Sequence, residues 1–464
     1  MFTRRILVLI SFSAVMTAMV GAPATAVPQG RGSYTGVIDG ARYRVEMPDR
    51  WNGTLVLYSH GYYPPGLPLP EAVALSTRPE TETWLLANGY AVAASNYRDD
   101  GRGFEVAEAV EDQFKLLDWF GANIGRPKRT VTSGLSMGGG VSIQLDERQP
   151  QRFDGVVTQC AAYDINGTFN TALDALFTVK TLLGTPDMEL VHPSDPEAAT
   201  NALLAAMVAA RQTPEGQARL ALAGAIGGVH DWGGAFVPKP TELGERLSQQ
   251  FTWLSSAHLY GYGPFGRADV EARAGGNPSW NFGIDYRRQL ARSPQRDLAI
   301  QAYAAAPGTD LEADLDALAG ARRILPDPQA VAYMYRNVVP RGTTPDPVLA
   351  IHTTHDGGAL TEQQSWLADA VRRNGDPARL RQVYVFRGSH CTFNAAEEIT
   401  ALRALLHRVD KGVWPDLGPA TLNAAANALG PDYFGVFDFL DGQSGVAPPA
   451  FADHAPGKYQ RPSF

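Results

Sequence analysis

Between Tyr34 and Met47 apolar and polar positions alternate, and Asp39-Gly40 interrupts them midway. A period of two around an Asp-Gly pair predicts an antiparallel hairpin, Tyr34–Ile38 with Ala41–Met47. The pattern then becomes short apolar runs bounded by turn residues. These predict strands at Thr54–Tyr58, Tyr90–Ala94, Thr130–Ser133, Gly155–Gln159, Val348–His352 and Val383–Phe386. Between them the spacing lengthens to three and four. Phe104, Ala107, Val110, Phe114 and Leu117 fall on one face of a crossover helix. Further helices are predicted at Thr81–Asn88, Thr361–Arg373 and Ala395–Arg408. Strand and helix in alternation is the βαβ pattern of a mostly parallel sheet.

The alternation stops at Ala161 and resumes after about Pro340. Ala-rich helical stretches such as Asn201–Arg211 and Gln217–Ala225 take over, separated by aromatic, Gly- and Pro-containing loops. This predicts a large, mainly helical insertion, residues 161–340, dividing an α/β core into parts 27–160 and 341–411. The aromatic residues Trp253, Tyr260, Tyr262, Phe265, Trp280, Phe282 and Tyr286 either line an apolar pocket or form the insertion's own core. The remainder, 412–464, is rich in Pro, Gly and Ala, carries no chemical pattern, and is expected to pack on the core.

Residues 1–26 read as a secretory leader: Arg4-Arg5, an apolar run from Ile6 to Val20, then Ala24-Thr25-Ala26, with cleavage near Ala26. An uncleaved anchor is the competing reading, but the run is short for a membrane span. Of 40 basic residues, removing Arg4 and Arg5 leaves 38 against 48 acidic ones. That balance argues against nucleic-acid and anionic-membrane partners and for a protein released outside the cell. Its two cysteines, Cys160 and Cys391, follow predicted strands and lie at the same sheet edge. A bridge between them and a pair of buried free thiols are both open.

The chemistry concentrates in Gly134-Leu135-Ser136-Met137-Gly138, which follows a strand and precedes a helix. In that setting G-x-S-x-G is a sharp turn that lifts the serine hydroxyl off the sheet and aims the Met137 N–H at whatever the serine attacks. A serine nucleophile needs a base, an orienting acid and oxyanion donors. Asp356 follows one strand and His390 another, in the order Ser…Asp…His and at the carboxyl ends where open α/β sheets place their sites. The run Ser59-His60-Gly61-Tyr62 ends an earlier strand and offers the Tyr62 backbone N–H as second oxyanion donor. His352 and His355 compete with His390 as base, and Asp356 could instead cap the helix beginning near Thr361. No nucleotide loop, metal-ligand spacing or basic stripe is present, so neither cofactor nor metal is expected.

With these residues in place, 34–159 and 345–410 resemble the α/β-hydrolase superfamily, specifically secreted bacterial serine esterases. The resemblance implies an eight-stranded, mostly parallel sheet, a Ser136-Asp356-His390 triad and no cofactor. A weaker resemblance is to tannases and feruloyl esterases, in which a cysteine beside the nucleophile bonds one beside the histidine. His390-Cys391 matches that pattern; Leu135, before Ser136, departs from it. The expected function is hydrolysis of a small or oligomeric carboxylic ester through an acyl-enzyme. An extracellular amidase or peptidase using the same triad is the alternative, and a binding protein on an inactive hydrolase scaffold is a third.

Overall fold

The computed structural model describes residues 32–66, 69–184 and 187–463. The proposed leader, 1–26, lies outside them. β1 (Gly32–Ile38) and β2 (Ala41–Met47) pair antiparallel, Ile38 opposite Ala41. Asp39 and Gly40 both take positive φ, 48° and 90°. Positive φ at both turn positions matches the right-handed twist of the strands, which is why Asp-Gly suits this place.

The main sheet continues through β3 (Thr54–Ser59), β4 (Ala91–Ser95), β5 (Arg129–Leu135), β6 (Gly155–Gln159), β7 (Val348–His355) and β8 (Leu380–Gly388). Its order is β1-β2-β4-β3-β5-β6-β7-β8 and then a ninth strand. The pairings from β4 to β8 are all parallel. The chain is thus an α/β protein with a mostly parallel sheet, of nine strands among the described residues where eight were expected. In the tail, β9 (Gly435–Phe437) and β10 (Ser444–Val446) form a separate hairpin, and β11 (Phe451–Ala452) pairs antiparallel with β8. Two residues are too few for any periodicity, which is why the ninth strand left no pattern in the sequence.

Three helices bear on the site. α1 (Pro79–Ala87) and α2 (Val106–Asn123) flank the sheet, and α3 (Met137–Arg148) starts at the Ser136 turn. α2 begins two residues after Phe104, so Phe104 precedes the helix instead of lying on its face. Between β6 and β7 every regular element among the described residues is helical, beginning with α4 (Ile165–Leu183). These helices bury a cluster of their own, including Leu176, Phe177, Leu222, Ile226, Trp253 and Tyr286. No helix among the described residues is long and apolar enough to cross a membrane.

Candidate active site

The turn between β5 and α3 is a constrained point of the backbone. Ser136 has φ 54° and ψ −121°, a conformation that side chains disfavour. Its neighbours explain why it persists. A Cβ on Gly134 would lie 2.0 Å from the Gly138 oxygen, and one on Gly138 only 2.1 Å from the Ser59 oxygen. Only glycine at both positions lets the strand, the turn and the β3 terminus pack together. Ser136 is tied from both sides: its N–H donates to Gln159 O (2.8 Å), and its O accepts from Ala162 (3.1 Å).

His390 stands against this serine, its Nε2 2.9 Å from Ser136 Oγ and its Nδ1 2.7 Å from Asp356 Oδ2. The carboxylate assigns the proton to Nδ1, which leaves Nε2 to accept from the hydroxyl. Asp356 is fully buried, and its other oxygen accepts the N–H groups of Gly358 (2.8 Å) and Ala359 (3.0 Å). The next helix starts only at Gln363, so Asp356 closes a short turn ahead of it rather than capping it. The competing histidines face elsewhere. His352 Nδ1 meets Thr353 O (2.9 Å) and His355 Nδ1 meets Thr354 Oγ1 (2.9 Å). Burial pushes the His355 pKa down to about 2.

On the opposite side, β3 delivers His60 and Gly61 beneath the serine. A Cβ on Gly61 would come within 3.2 Å of Ser136 Cβ, which brings the segment that leads into Tyr62 beside Ser136. His60 is sandwiched between Tyr63 and Tyr97, ring centroids 4.3 and 4.1 Å away, and its Nδ1 bonds Gly61 O (2.7 Å). Burial pushes its pKa down to about 4, so it stays neutral.

The histidine loop is held from three distant segments. Cys391 forms a disulfide with Cys160, at the end of β6. The weaker resemblance expects a partner beside the nucleophile. Here the partner comes from the adjacent strand, where Gln159 opposite Leu135 brings Cys160 to the same edge. Second, Ser389 Oγ donates to Asp438 Oδ1 (2.5 Å), and both residues are fully buried. Asp438 also accepts N–H groups from Leu440 (3.0 Å) and from Ala235 in the helical segment (2.8 Å). Third, the Trp232 ring covers Gly388 so closely that a Cβ there would lie 2.6 Å away. These anchors matter because Ser389 (φ 71°) and Cys391 (φ 56°), on either side of the histidine, are both left-handed.

The sequence reasoning missed Asp438, since a tail with no chemical pattern offers nothing to single it out. The aromatic residues of 253–286 divide. Tyr262 reaches the site, its hydroxyl donating to Gly358 O (3.0 Å), and a Cβ on Gly357 would strike the Trp253 ring. Tyr286 joins the helical core, whereas Tyr260 and Phe282 are exposed. Among the described residues the one group of possible metal donors is Cys160, Asp356, His390 and Cys391. Its sulfurs are bonded to each other and its imidazole is engaged by the carboxylate, so this set suits hydrolysis, not metal binding.

No family model matches the chain. It is 30% identical over 433 residues to the o-phthalyl amidase of Xanthobacter agilis, covering 87% of this chain and 93% of that protein. Among solved structures it is similar to an esterase from Aspergillus oryzae (TM-score 0.42, 13% identity, 93% of this chain and 89% of that one). Feruloyl esterase B from the same organism gives a TM-score of 0.39 at 13% identity, over 83% of this chain and 82% of that one.

Proposed function

This chain belongs to the family of the o-phthalyl amidase, and we propose that it is a serine hydrolase cleaving amides, and esters, of aromatic carboxylic acids. The observation that carries this reading is the unbroken contact series Ser136 Oγ–His390 Nε2–His390 Nδ1–Asp356 Oδ2, at 2.9 and 2.7 Å. His390 takes the Ser136 proton as the oxygen attacks the acyl carbonyl, and Asp356 stabilises the imidazolium. The N–H groups of Met137 and Tyr62 receive the oxyanion. The imidazolium then protonates the leaving amine or alcohol, and water, deprotonated by His390, releases the acid from Ser136. The same machinery serves esters and amides; the kinship with an amidase moves the amide, second in the sequence reading, to first. The leader and the disulfide together support export, with a mature chain starting near Val27.

The test is fluorophosphonate labelling followed by peptide mapping, alongside turnover of matched aryl esters and anilides. Label on Ser136 with anilide hydrolysis supports the whole reading. Ester turnover without anilide turnover returns the assignment to an esterase, and no label on Ser136 defeats it.

A further inference from the structure

The Asp356 carboxylate is engaged through both of its oxygens. Oδ2 meets His390 Nδ1 (2.7 Å), while Oδ1 accepts the N–H groups of Gly358 (2.8 Å) and Ala359 (3.0 Å). Those two donors belong to consecutive peptide units, Gly357–Gly358 and Gly358–Ala359. A trans peptide is planar, with C=O and N–H pointing in opposite directions, so whatever fixes the carbonyl also aims the donor. Both carbonyls are held by the helical insertion. His258 Nε2 lies 3.1 Å from Gly357 O, and the Tyr262 hydroxyl donates to Gly358 O (3.0 Å). A third residue of the insertion, Trp253, covers Gly357 and leaves no room there for a Cβ.

The protonation of these side chains suits the task. His258 is fully buried, and burial pushes its pKa down to about 4, so the ring is neutral at pH 7. A neutral imidazole facing a carbonyl oxygen must carry its proton on the facing nitrogen, which makes Nε2 the donor. Burial raises the pKa of Tyr262, so its phenol keeps the proton it donates. A donor on a peptide carbonyl polarises that unit and strengthens its N–H, and N–H donors to a carboxylate favour the ionised form.

The three side chains share a face through a rare backbone turn. Leu254–Gly261 is a π-helix, and the Tyr262 N–H bonds Ala257 O, five residues back (3.0 Å). In an α-helix, residues five apart point about 140° away from each other. A turn closed by bonds to the fifth residue brings Trp253 and His258 onto one side instead. Tyr262, four residues further, follows on that side, and its ring meets the His258 ring edge-on with centroids 5.9 Å apart.

We infer that His258 and Tyr262 are positioning residues for Asp356: through two successive peptide units they aim the N–H groups that hold its carboxylate toward His390. Granted the reading of Ser136, His390 and Asp356 as the reacting series, on which this assignment rests, the helical insertion completes the catalytic centre. Without the two side chains the peptide units are free to turn, and a buried carboxylate oxygen loses its donors.

The test compares wild type with Tyr262→Phe, His258→Leu and His258→Gln on one anilide or ester that wild type turns over. Tyr262→Phe keeps the ring and loses only the hydroxyl. The glutamine amide can donate to Gly357 O in place of Nε2. Tyr262→Phe and His258→Leu should each lower kcat about tenfold with KM little changed, and His258→Gln should recover most of that loss. The low-field proton resonance of the His390 Nδ1–Asp356 hydrogen bond, read by NMR on the free enzyme, should move or broaden in the two slow variants and stay in place in His258→Gln. Tyr260→Phe, on an exposed ring of the same π-helix, should alter neither reading. An unchanged kcat in folded Tyr262→Phe and His258→Leu overturns the inference, and so does a fall in kcat with the resonance unmoved. Tyr262→Phe decides alone if His258→Leu fails to fold. Equal losses in the leucine and glutamine variants would remove His258 from the assignment. A wild type that takes no fluorophosphonate at Ser136 defeats the underlying reading instead, and is scored separately.

Discussion

The nucleophile turn and the histidine loop are both strained, but they are held in different ways. The turn is supported by residues close in sequence or on the next strand: Gly134, Gly138, Gln159 and Ala162. The histidine loop owes its shape to Cys160, Trp232 and Asp438, residues from three separate parts of the chain. A turn held by its own glycines announces itself in the sequence. A loop held by remote partners does not.

The largest expected effects come from the reacting residues and do not distinguish the two regions. Ser136→Ala and His390→Ala should each lower kcat by about 10⁵ to 10⁶, and Asp356→Asn by about 10⁴, measured on one anilide or ester substrate. Equal losses for serine and histidine confirm one catalytic unit; a His355→Ala variant as damaged as His390→Ala would move the base.

Gly138→Ala tests the local half. Its methyl group meets the Ser59 and His60 carbonyl oxygens at 2.1 and 2.4 Å, both backbone atoms that cannot rotate away. The variant should lose most activity and several degrees of melting temperature. Wild-type turnover from it would show that the turn tolerates rearrangement.

Cys391→Ala tests the distributed half. The bridge closes a separation of 231 residues, for which chain entropy allows up to about 5 kcal/mol of stabilisation. Reduction or substitution should lower the melting temperature strongly, and kcat should fall as His390 gains freedom. If stability falls and kcat per folded molecule does not, the other anchors suffice to hold the histidine.

Ser389→Gly sharpens this further. Glycine accepts φ 71° without strain but removes the hydroxyl that bonds Asp438. We expect kcat to drop about tenfold with KM little changed, and Asp438→Asn to behave similarly. An unchanged kcat in Ser389→Gly would reduce Asp438 to a structural tie.

The same contrast explains what could be read before the fold was known. The G-x-S-x-G turn, the strands around it and the candidates Asp356 and His390 rest on local patterns, and the structure brings these three side chains into contact. Cys160 and Cys391 were placed at one edge by strand order alone, with the bond left open. The roles of Asp438 and His258 were invisible, because an aspartate in an irregular tail and a histidine in a helical segment become informative only through their partners. Phe104 was read on the face of a crossover helix, and Phe169 drew no reading. Their ring contacts with Tyr62 and Tyr262 depend on how the helical segment meets the sheet, which no period in the sequence encodes.

The smallest effect concerns acid stability on the nucleophile side. His60 is buried between two tyrosines, and burial lowers its pKa from 6.5 to about 4. The folded protein therefore binds this proton less readily than the unfolded chain. A lowered histidine pKa means that the stability is intact above about 6.5, declines as the pH falls from there, and levels off below about 4. Buried His258, also lowered to about 4, adds a second contribution in the same window. His60→Phe keeps an aromatic ring between Tyr63 and Tyr97 and removes the titrating group. Unfolding free energies measured from pH 7.5 to 4 should then show a shallower decline for the variant, by up to one proton in slope. The absolute stability at pH 7.5 should drop modestly, since the bond from His60 Nδ1 to Gly61 O is lost. If the variant and the wild type decline in parallel, His60 titrates alike in the folded and unfolded protein. The stacked ring beneath the oxyanion loop would then gain its charge as the pH falls through its ordinary value of 6.5, and the neutral support assigned to that side would have to be abandoned.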